Sequence, residues 1–410
     1  MRSDRFVEDN KRTGGALLPK KPAYIILLIL EMLVGMGFLV MIALVDAFPK
    51  NLVAAFIAAL VVMILLSAVL MGRKTKWKRI IGVIIAVIYL AVYGLGIYYL
   101  VNTYSMFARI TTGDSTAKAS SVDVTEDAFN VYITGIDQWT VEKGYDLERS
   151  DVNMIATVNP TTRKITLTSI PRDAYVALHR TGTMDKLTHT GIYGVDETLN
   201  TIKDWTGVEM NYYVKVNFSA CVHIVDAMGG VDVYSPVAFD SAISKYSYKK
   251  GWNSLNGKQA LYFARERKAF EGEDQLRVKN QLRLIKAMLN KMLSSTTLLT
   301  NYGDLMEAVS EDMETNMPQE DIQALVKMQL ADLSTWDIEM QRMSGEYDLE
   351  VVASMDSSNK YTVLKVSEES FNECLEGIDA TMNPTEEEIA EALENKQKQS
   401  IISFIKSLKK

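Results

Sequence analysis

The sequence predicts an α/β sandwich carried behind three membrane-spanning helices, and three observations predict it. Runs at 23–45, 52–71 and 80–101 hold 23, 20 and 22 predominantly apolar residues, with Glu31 as their one charge. From residue 129 onward, segments that alternate apolar and polar side chains take turns with segments of helical spacing, as in layered strands and helices. Residues 1–101 carry 12 basic and 5 acidic side chains, leaving 32 and 46 after residue 101 in a chain of net charge −7. The two parts are built for different surroundings.

Each apolar run is long enough to cross a hydrocarbon core of roughly 30 Å as a helix. A secretory signal would be much shorter and would end at a small-residue cleavage site, so none of the three reads as removable. Arg2, Arg5, Lys11, Arg12, Lys20 and Lys21 precede the first run, and Arg73, Lys74, Lys76, Lys78 and Arg79 separate the second from the third. Only Lys50 lies between the first two runs. Because basic residues resist translocation, the amino terminus is expected inside and the acidic part outside, as a multi-pass protein of the cell membrane. Glu31 reads as a protonated or snorkelling carboxyl rather than a relay site.

The expected organisation is a cytoplasmic tail at 1–22, the membrane helices at 23–101, a linker at 102–125, a catalytic domain at 126–294 and an extracellular extension at 295–410. Residues 113–125, rich in Ser, Thr, Ala and Asp, carry no apolar period. Strands are predicted at 129–137, 152–158 and 164–170, the last two joined through a turn at 159–163. A helix at 196–205 and a strand at 212–217 follow; Ser219 can cap a helix running to Met228, and Gly229 and Gly230 end it before a strand at 231–235. Helices are predicted at 275–293, 318–333 and 384–395, with a strand around 336–340. The tail 401–410 is amphipathic and reads as docked or disordered.

A hydrophobic fraction of 48% with 23% charged residues excludes a disordered or collagen-like chain, and the acidic total argues against a general nucleic-acid binder. Cys221 shares the apolar face of its helix and reads as a buried thiol; with three histidines and no cysteine cluster, a zinc site is not expected. Any metal should be a hard cation on carboxylates. The chemistry lies in the arginines. Arg149, Arg172, Arg265, Arg267 and Arg277 fall in short polar strings with Asp151, Asp173, Glu266 and Asp274 at the ends of predicted elements. A guanidinium fork matches two phosphate oxygens and never loses its charge, so arginines beside aspartates point to a phosphate and a divalent metal together. Arg265 and Arg267 share a face if their segment is extended, and Arg277 and Gln281 share a face of one helix. Taken singly, each string could be a solvated surface ion pair.

Taken together, these segments resemble the LytR-CpsA-Psr (LCP) family of cell-envelope ligases. The matching stretches are Gly135-Ile136-Asp137, Arg149-Ser150-Asp151, the Ser169 to Asp173 string, Lys186 to His189, Val225 to Val231, Leu255 to Leu261, Arg265-Glu266-Arg267, and Asp274 to Arg277 with Gln281. They occur in the family's order over about 127–293. The resemblance implies a central mixed sheet sandwiched by helices, with an apolar pocket for a lipid tail. It implies a phosphotransferase outside the cell that moves a glycopolymer, such as a teichoic acid or capsular polysaccharide, from a polyprenyl-pyrophosphate carrier to the C6 hydroxyl of peptidoglycan N-acetylmuramic acid. The implied cofactor is Mg²⁺ (or Mn²⁺), on Asp137 and Asp151 with Asp274. Arg149, Arg172, Lys186, Arg265, Arg267, Arg277 and Gln281 would hold the pyrophosphate, with Arg172, Arg265 and Arg267 stabilising the leaving phosphate. Asp173 would orient Arg172 or take the sugar proton. The implied partners are the lipid-linked glycan, peptidoglycan, the bilayer and the wall-assembly machinery.

Two departures stand out. Asn280 occupies a position where members often carry Arg, and no extra domain separates the third apolar run from the first strand, as it does in some three-span capsule relatives. Two other readings remain open on the residues: water as acceptor, giving a lipid-pyrophosphate hydrolase, or a non-catalytic envelope sensor.

Overall fold

In the computed structural model the described residues are 19, 21–110, 122–136, 149–267, 274–294, 308, 313–332, 334–395 and 398. The tail 1–18, most of the linker, Asp137 and the segment 401–410 lie outside them. Two compact units result, Met1–Tyr104 and Ser105–Lys410.

The first unit holds α1 (Pro22–Val45), α2 (Lys50–Gly72) and α3 (Lys76–Ile110), each long and apolar enough to cross a membrane. Pro22 opens α1, where its missing N–H costs nothing. Glu31 does not snorkel. It is fully buried between the helices and accepts a hydrogen bond from Ser67 Oγ at 2.8 Å.

The second unit is built on a six-stranded mixed sheet. Its members are β1 (Phe129–Ile136), β2 (Ser150–Asn159), β3 (Lys164–Ile170), β6 (Tyr212–Asn217), β11 (Met313–Thr315) and β12 (Asp337–Arg342), in the order β11-β6-β1-β2-β3-β12. The β2–β3 hairpin closes with Asn159 opposite Lys164, and Arg163 takes the positive φ of 56° that the turn needs. β1 runs antiparallel to β2 and parallel to β6. The sheet continues past residue 294, since β11 and β12 extend its two edges.

Side chains alternate across the sheet. Tyr132, Ile155 and Tyr213 pack beneath α4 (Val195–Thr206) and α9 (Glu368–Met382), with Ile202 and Ile378. Phe129, Val131, Met154 and Tyr212 face α7 (Asp274–Met292) and α8 (Gln319–Asp332), with Leu282 and Ile322. Two shorter helices, α5 (Phe218–Ala227) and α6 (Gly257–Arg265), close that side. Asn217, not Ser219, caps α5: its side chain accepts from the Ala220 N–H at 2.7 Å. A Cβ at Gly257 would strike the Val222 carbonyl, so α5 and α6 can approach only with glycine there. Gly230, at φ 87°, turns the chain from α5 into β7 (Val231–Ser235).

Sequence reading missed the small hairpins β4 (Tyr175–Ala177) with β5 (Met184–Lys186), β8 (Phe239–Asp240) with β9 (Ser247–Tyr248), and β13 (Gly345–Glu350) with β14 (Tyr361–Val366). It also missed α9, capped by Ser367, whose side chain accepts from the Ser370 N–H.

Candidate active site

The register brings the strings at 149–151 and 171–173 together at one end of the central strands. Gly135 pairs with Val152 and Val216, and Asn153 pairs with Ile170. Asp151 at the start of β2 and Arg172 just past the end of β3 therefore meet. Arg172 Nη1 donates to Asp151 Oδ1 at 2.7 Å, and its Nε lies 3.5 Å from Asp173 Oδ2. Lys186 Nζ donates to Asp173 Oδ1 at 3.0 Å, which completes an alternating chain of two cations and two carboxylates. All four side chains are partly open to solvent, 16–25% exposed, so a bound anion can exchange for a carboxylate partner. Arg149 is exposed beside them at the entry to β2.

Backbone bonds fix this edge from two directions. The Thr188 N–H donates to the Arg172 carbonyl at 2.8 Å and the Leu187 N–H to the Ala174 carbonyl at 2.9 Å. From β14, the Leu364 N–H donates to the Asp173 carbonyl at 2.8 Å. A segment with no chemical signature thus holds the Arg172–Asp173 turn. Asp185 locks the same hairpin: it is fully buried, meets His189 Nδ1 at 2.7 Å, and accepts from the Ser354 and Lys186 N–H groups. Burial, the largest influence, raises its pKa, but these hydrogen bonds together hold it below the usual carboxylate range.

Arg265 and Arg267 are organised by the residue between them. Glu266 is extended and fully buried. It accepts from Ser241 Oγ at 2.7 Å and from the Ala242 and Arg267 N–H groups at 2.8 and 2.9 Å. The segment is not extended throughout, as a shared strand face would require: Arg265 is the last helical residue of α6 and is exposed, while Arg267 follows the extended Glu266 and is half-buried. Arg265 lies over the Phe218 ring, 4.6 Å from its centroid. On α7, Arg277 and Gln281 are one turn apart, and Arg277 is buried to 7% exposure. The Asp274 side chain, like Asp137, is outside the described residues.

Asn280 is fully buried, donates to the Phe263 carbonyl at 3.3 Å and accepts from Arg283 Nη1 at 2.9 Å. It ties α7 to α6 where an arginine would carry charge. Arg283 is therefore a partly buried packing residue, not a solvent-facing one, and burial lowers its pKa from the usual guanidinium value.

Between the sheet and α5–α8 runs an apolar cavity of about 450 Å³. Asn217, Phe218, Arg265 and Gln281 mark its polar end, and its lining continues through Ile285, Met288 and Met292 to Met328 and Trp336. From Gln281 to Met292 the helix rises roughly 16 Å. Such a cavity accepts a long apolar chain whose charged head stays at Arg265. Cys221 is free, lines the cavity and is half-buried rather than fully buried, and desolvation pushes its thiol up to about 12; Cys374 is free and buried, and burial pushes it up to about 11.

The model of the LytR_cpsA_psr family matches residues 97–378. The polyisoprenyl-teichoic acid–peptidoglycan teichoic acid transferase TagU of Bacillus licheniformis is 34% identical over 257 residues, 61% of this chain and 82% of that protein. Among solved structures, TagT bound to LIIa-WTA superimposes with a TM-score of 0.51 at 25% identity, over 66% of this chain and 97% of that one. Bacillus subtilis TagV, at 24% identity and a TM-score of 0.52, matches in fold over 63% of this chain and 99% of that one. The family match spans more than half of the sequence and takes in every described polar string of the site, so the chain belongs to the LytR_cpsA_psr family.

Proposed function

We propose that the protein is a membrane-anchored transferase that moves a teichoic acid or related wall glycopolymer from a polyprenyl-pyrophosphate carrier to peptidoglycan. The observation that carries this reading is the apolar cavity ending at Arg265 and Gln281, on the same sheet edge as the Arg172 ion-pair chain. The transferase names of relatives support it. The product is a phosphodiester to the C6 hydroxyl of N-acetylmuramic acid, formed outside the membrane, with the three helices as anchor and the amino terminus inside.

In this reading the prenyl chain lies along Ile285, Met288 and Met292, and the pyrophosphate meets Arg265, Arg267, Arg277 and Gln281, with Arg149 and Lys186 reaching its outer oxygens. Arg172 and Arg267 neutralise charge on the phosphate that leaves with the lipid. Asp173, held between Arg172 and Lys186, orients both. Among the described residues no group of three candidate metal ligands is assembled. Mg²⁺ commonly binds through one or two carboxylates plus substrate phosphate oxygens, and Asp151, with Oδ1 held by Arg172 and Oδ2 left to a cation, fits that donor set. Asp137 and Asp274 would complete it, and a bound ion would polarise the phosphoryl oxygens.

The test is the full-length protein in bilayers with a polyprenyl-pyrophosphate glycan and peptidoglycan. A glycan–phosphate–peptidoglycan product supports the proposal; release of free glycan phosphate alone would make the protein a hydrolase. Asp151→Asn should abolish the divalent-metal dependence of turnover, and unaltered activity of that variant in chelator would remove the metal from the mechanism.

A further inference from the structure

Residues 241–265 contain Lys245, Lys249, Lys250, Lys258 and Arg265 and no acidic residue, within a part of the chain that is 14 charges negative. Lys249 and Lys250 lead directly into a strand that carries one ring of an aromatic pair, and Lys245 and Lys258 lie in the turn before it and in the first turn of the helix after it. β7 pairs with β10 (Gly251–Leu255), and Tyr234 stands opposite Trp252 with ring centroids 5.6 Å apart. Val231, Val233, Asn253 and Leu255 point inward and are buried, while Tyr234 and Trp252 point outward, Trp252 at 65% exposure. Val237 and Ile243 are exposed beside them, as are all four lysines. Among the described residues, the acids exposed on these strands are Asp232, which accepts from Ser254 Oγ at 2.5 Å, and Asp240.

The inward Asn253 side chain accepts from the Lys249 N–H at 2.9 Å and donates to the Lys249 and Gly251 carbonyls at 2.8 and 3.0 Å, which fixes the turn into β10. The rings of Phe239, Tyr248 and Phe263 contact one another at 4.7–5.8 Å, and Tyr248 donates to the Gln259 carbonyl at 2.7 Å. The outward residues are therefore a fixed surface, not loop tips that fold away.

We propose that this β7–β10 face docks on an anionic lipid surface, with Trp252 and Tyr234 at headgroup depth and Lys245, Lys249, Lys250 and Lys258 against the headgroups. Amphipathic rings settle at the membrane interface and lysines are drawn to anionic lipid. A soluble polyanion would satisfy the lysines but gain nothing from exposing Trp252, Val237 and Ile243 to water, so lipid is the occupant that uses the whole face. A bilayer is always at hand: α3 ends at Ile110, and the segment 111–121 before the next described residue spans at most about 40 Å. Lys258, Leu261 and Arg265 follow one stripe of α6, and Leu261 and Arg265 line the cavity. The inference rests on exposure and charge and holds whatever reaction the site performs.

The test uses the full chain in nanodiscs whose lipids carry bromine on the upper acyl carbons, with or without phosphatidylglycerol. The quenching assigned to Trp252 is the difference between the wild type and Trp252→Phe. It is expected in anionic discs, and should be at least halved by replacing the four lysines with Gln or by high salt, which shortens the screening length. Equal quenching of wild type and Trp252→Phe, or equal Trp252 quenching in zwitterionic discs, overturns the proposal. So does a Trp252 emission change on adding soluble polyglycerol phosphate without bromine quenching in anionic discs, which would give the face to a polyanionic polymer.

Discussion

On one face of the central sheet Tyr132, Ile155 and Tyr213 are sealed beneath α4 and α9, whereas on the other Val131, Ile133 and Val214 look into a cavity of about 450 Å³. Successive residues of the same strands supply both faces, so local propensity does not make the difference. The covering helices do. α4 and α9 bring Leu199, Ile202, Cys374 and Ile378 into contact with the sheet. α7 brings Leu282 into the core but keeps Ile285 and Met288 along the cavity wall. A sealed void of that size would cost on the order of 10 kcal/mol, comparable with the net stability of a whole domain. The filled face supplies stability and the hollow face is shaped for an occupant.

The largest expected effect separates the faces by stability. Ile155→Ala on the filled face should lose about 2–5 kcal/mol, because a fully buried side chain leaves a cavity that close packing cannot collapse. Ile285→Ala on the hollow face should lose less than about 1.5 kcal/mol, since its side chain already borders open space. Denaturant melts of the full-length variants read both. Equal losses would mean that the two faces are packed alike.

Next comes the charged end of the hollow face. Arg265→Ala and Arg267→Ala should each raise the barrier to transfer by about 2–4 kcal/mol, roughly 30- to 1000-fold in kcat/KM. The double variant should be much less than additive, because either loss disables one shared clamp. Arg→Lys should rescue poorly, since an ammonium cannot make the two-pronged contact. Lys279, exposed on the same helix as Arg277, is the control; Arg283 is not, because it holds Asn280. Independent, additive losses at Arg265 and Arg267 would break the clamp reading.

Filling the hollow face should spare the fold and impair the ligand. Ala156 is buried on β2 and lines the cavity, so Ala156→Phe projects a ring into it. Stability should change by less than about 1.5 kcal/mol, because the ring enters existing space rather than a packed core. Transfer from a long-chain polyprenyl carrier should fall by about tenfold or more, as roughly two buried methylenes' worth of apolar contact is lost, while a short-chain analogue is spared. Equal effects on both substrates would remove the prenyl chain from the cavity.

Much of this was legible in the sequence, and the misses have identifiable causes. The strands at 129–136, 152–158 and 164–170 were legible from the alternation of apolar and polar residues, although the sheet is buried on both sides and the polar positions Asn130, Thr157 and Thr166 are hydrogen-bonded inside it; the three apolar runs follow from the length of a bilayer crossing. The arginine strings stood out as a set, because each singly could be a surface ion pair but all of them fall beside acidic residues at the ends of elements. Glu266 gave no such signal: between two arginines it reads as one more solvated charge, yet it is a buried anchor that ties the segment between them to Ser241 and Ala242. The contribution of β14 was invisible for another reason, since the Leu364 N–H that holds the Asp173 carbonyl belongs to the backbone and could come from any residue but proline. Ser219 and Asn217 are both good caps, and only the position of the Ala220 amide decides between them.

The smallest expected effect concerns the filled side, where Asp185, His189 and Ser354 clasp the β4–β5 hairpin to the chain after β13. Asp185 is hydrogen-bonded in its charged form, so its folded pKa lies below the unfolded value of about 3.9. The unfolded carboxyl therefore takes up its proton first as pH falls. Its stabilisation is present above that unfolded value and is lost as pH falls through the lower folded pKa, so the window lies below about pH 4. Asp185→Asn should flatten the acid limb of the stability–pH curve in that window, and the variant should be destabilised at neutral pH. His189→Gln, which removes one donor but leaves the Ser354 and Lys186 N–H groups, should shift the acid limb upward rather than abolish it. An acid limb unchanged in Asp185→Asn would show that other carboxylates govern acid unfolding, and that the clasp fixes the Arg172–Asp173 turn through shape rather than charge.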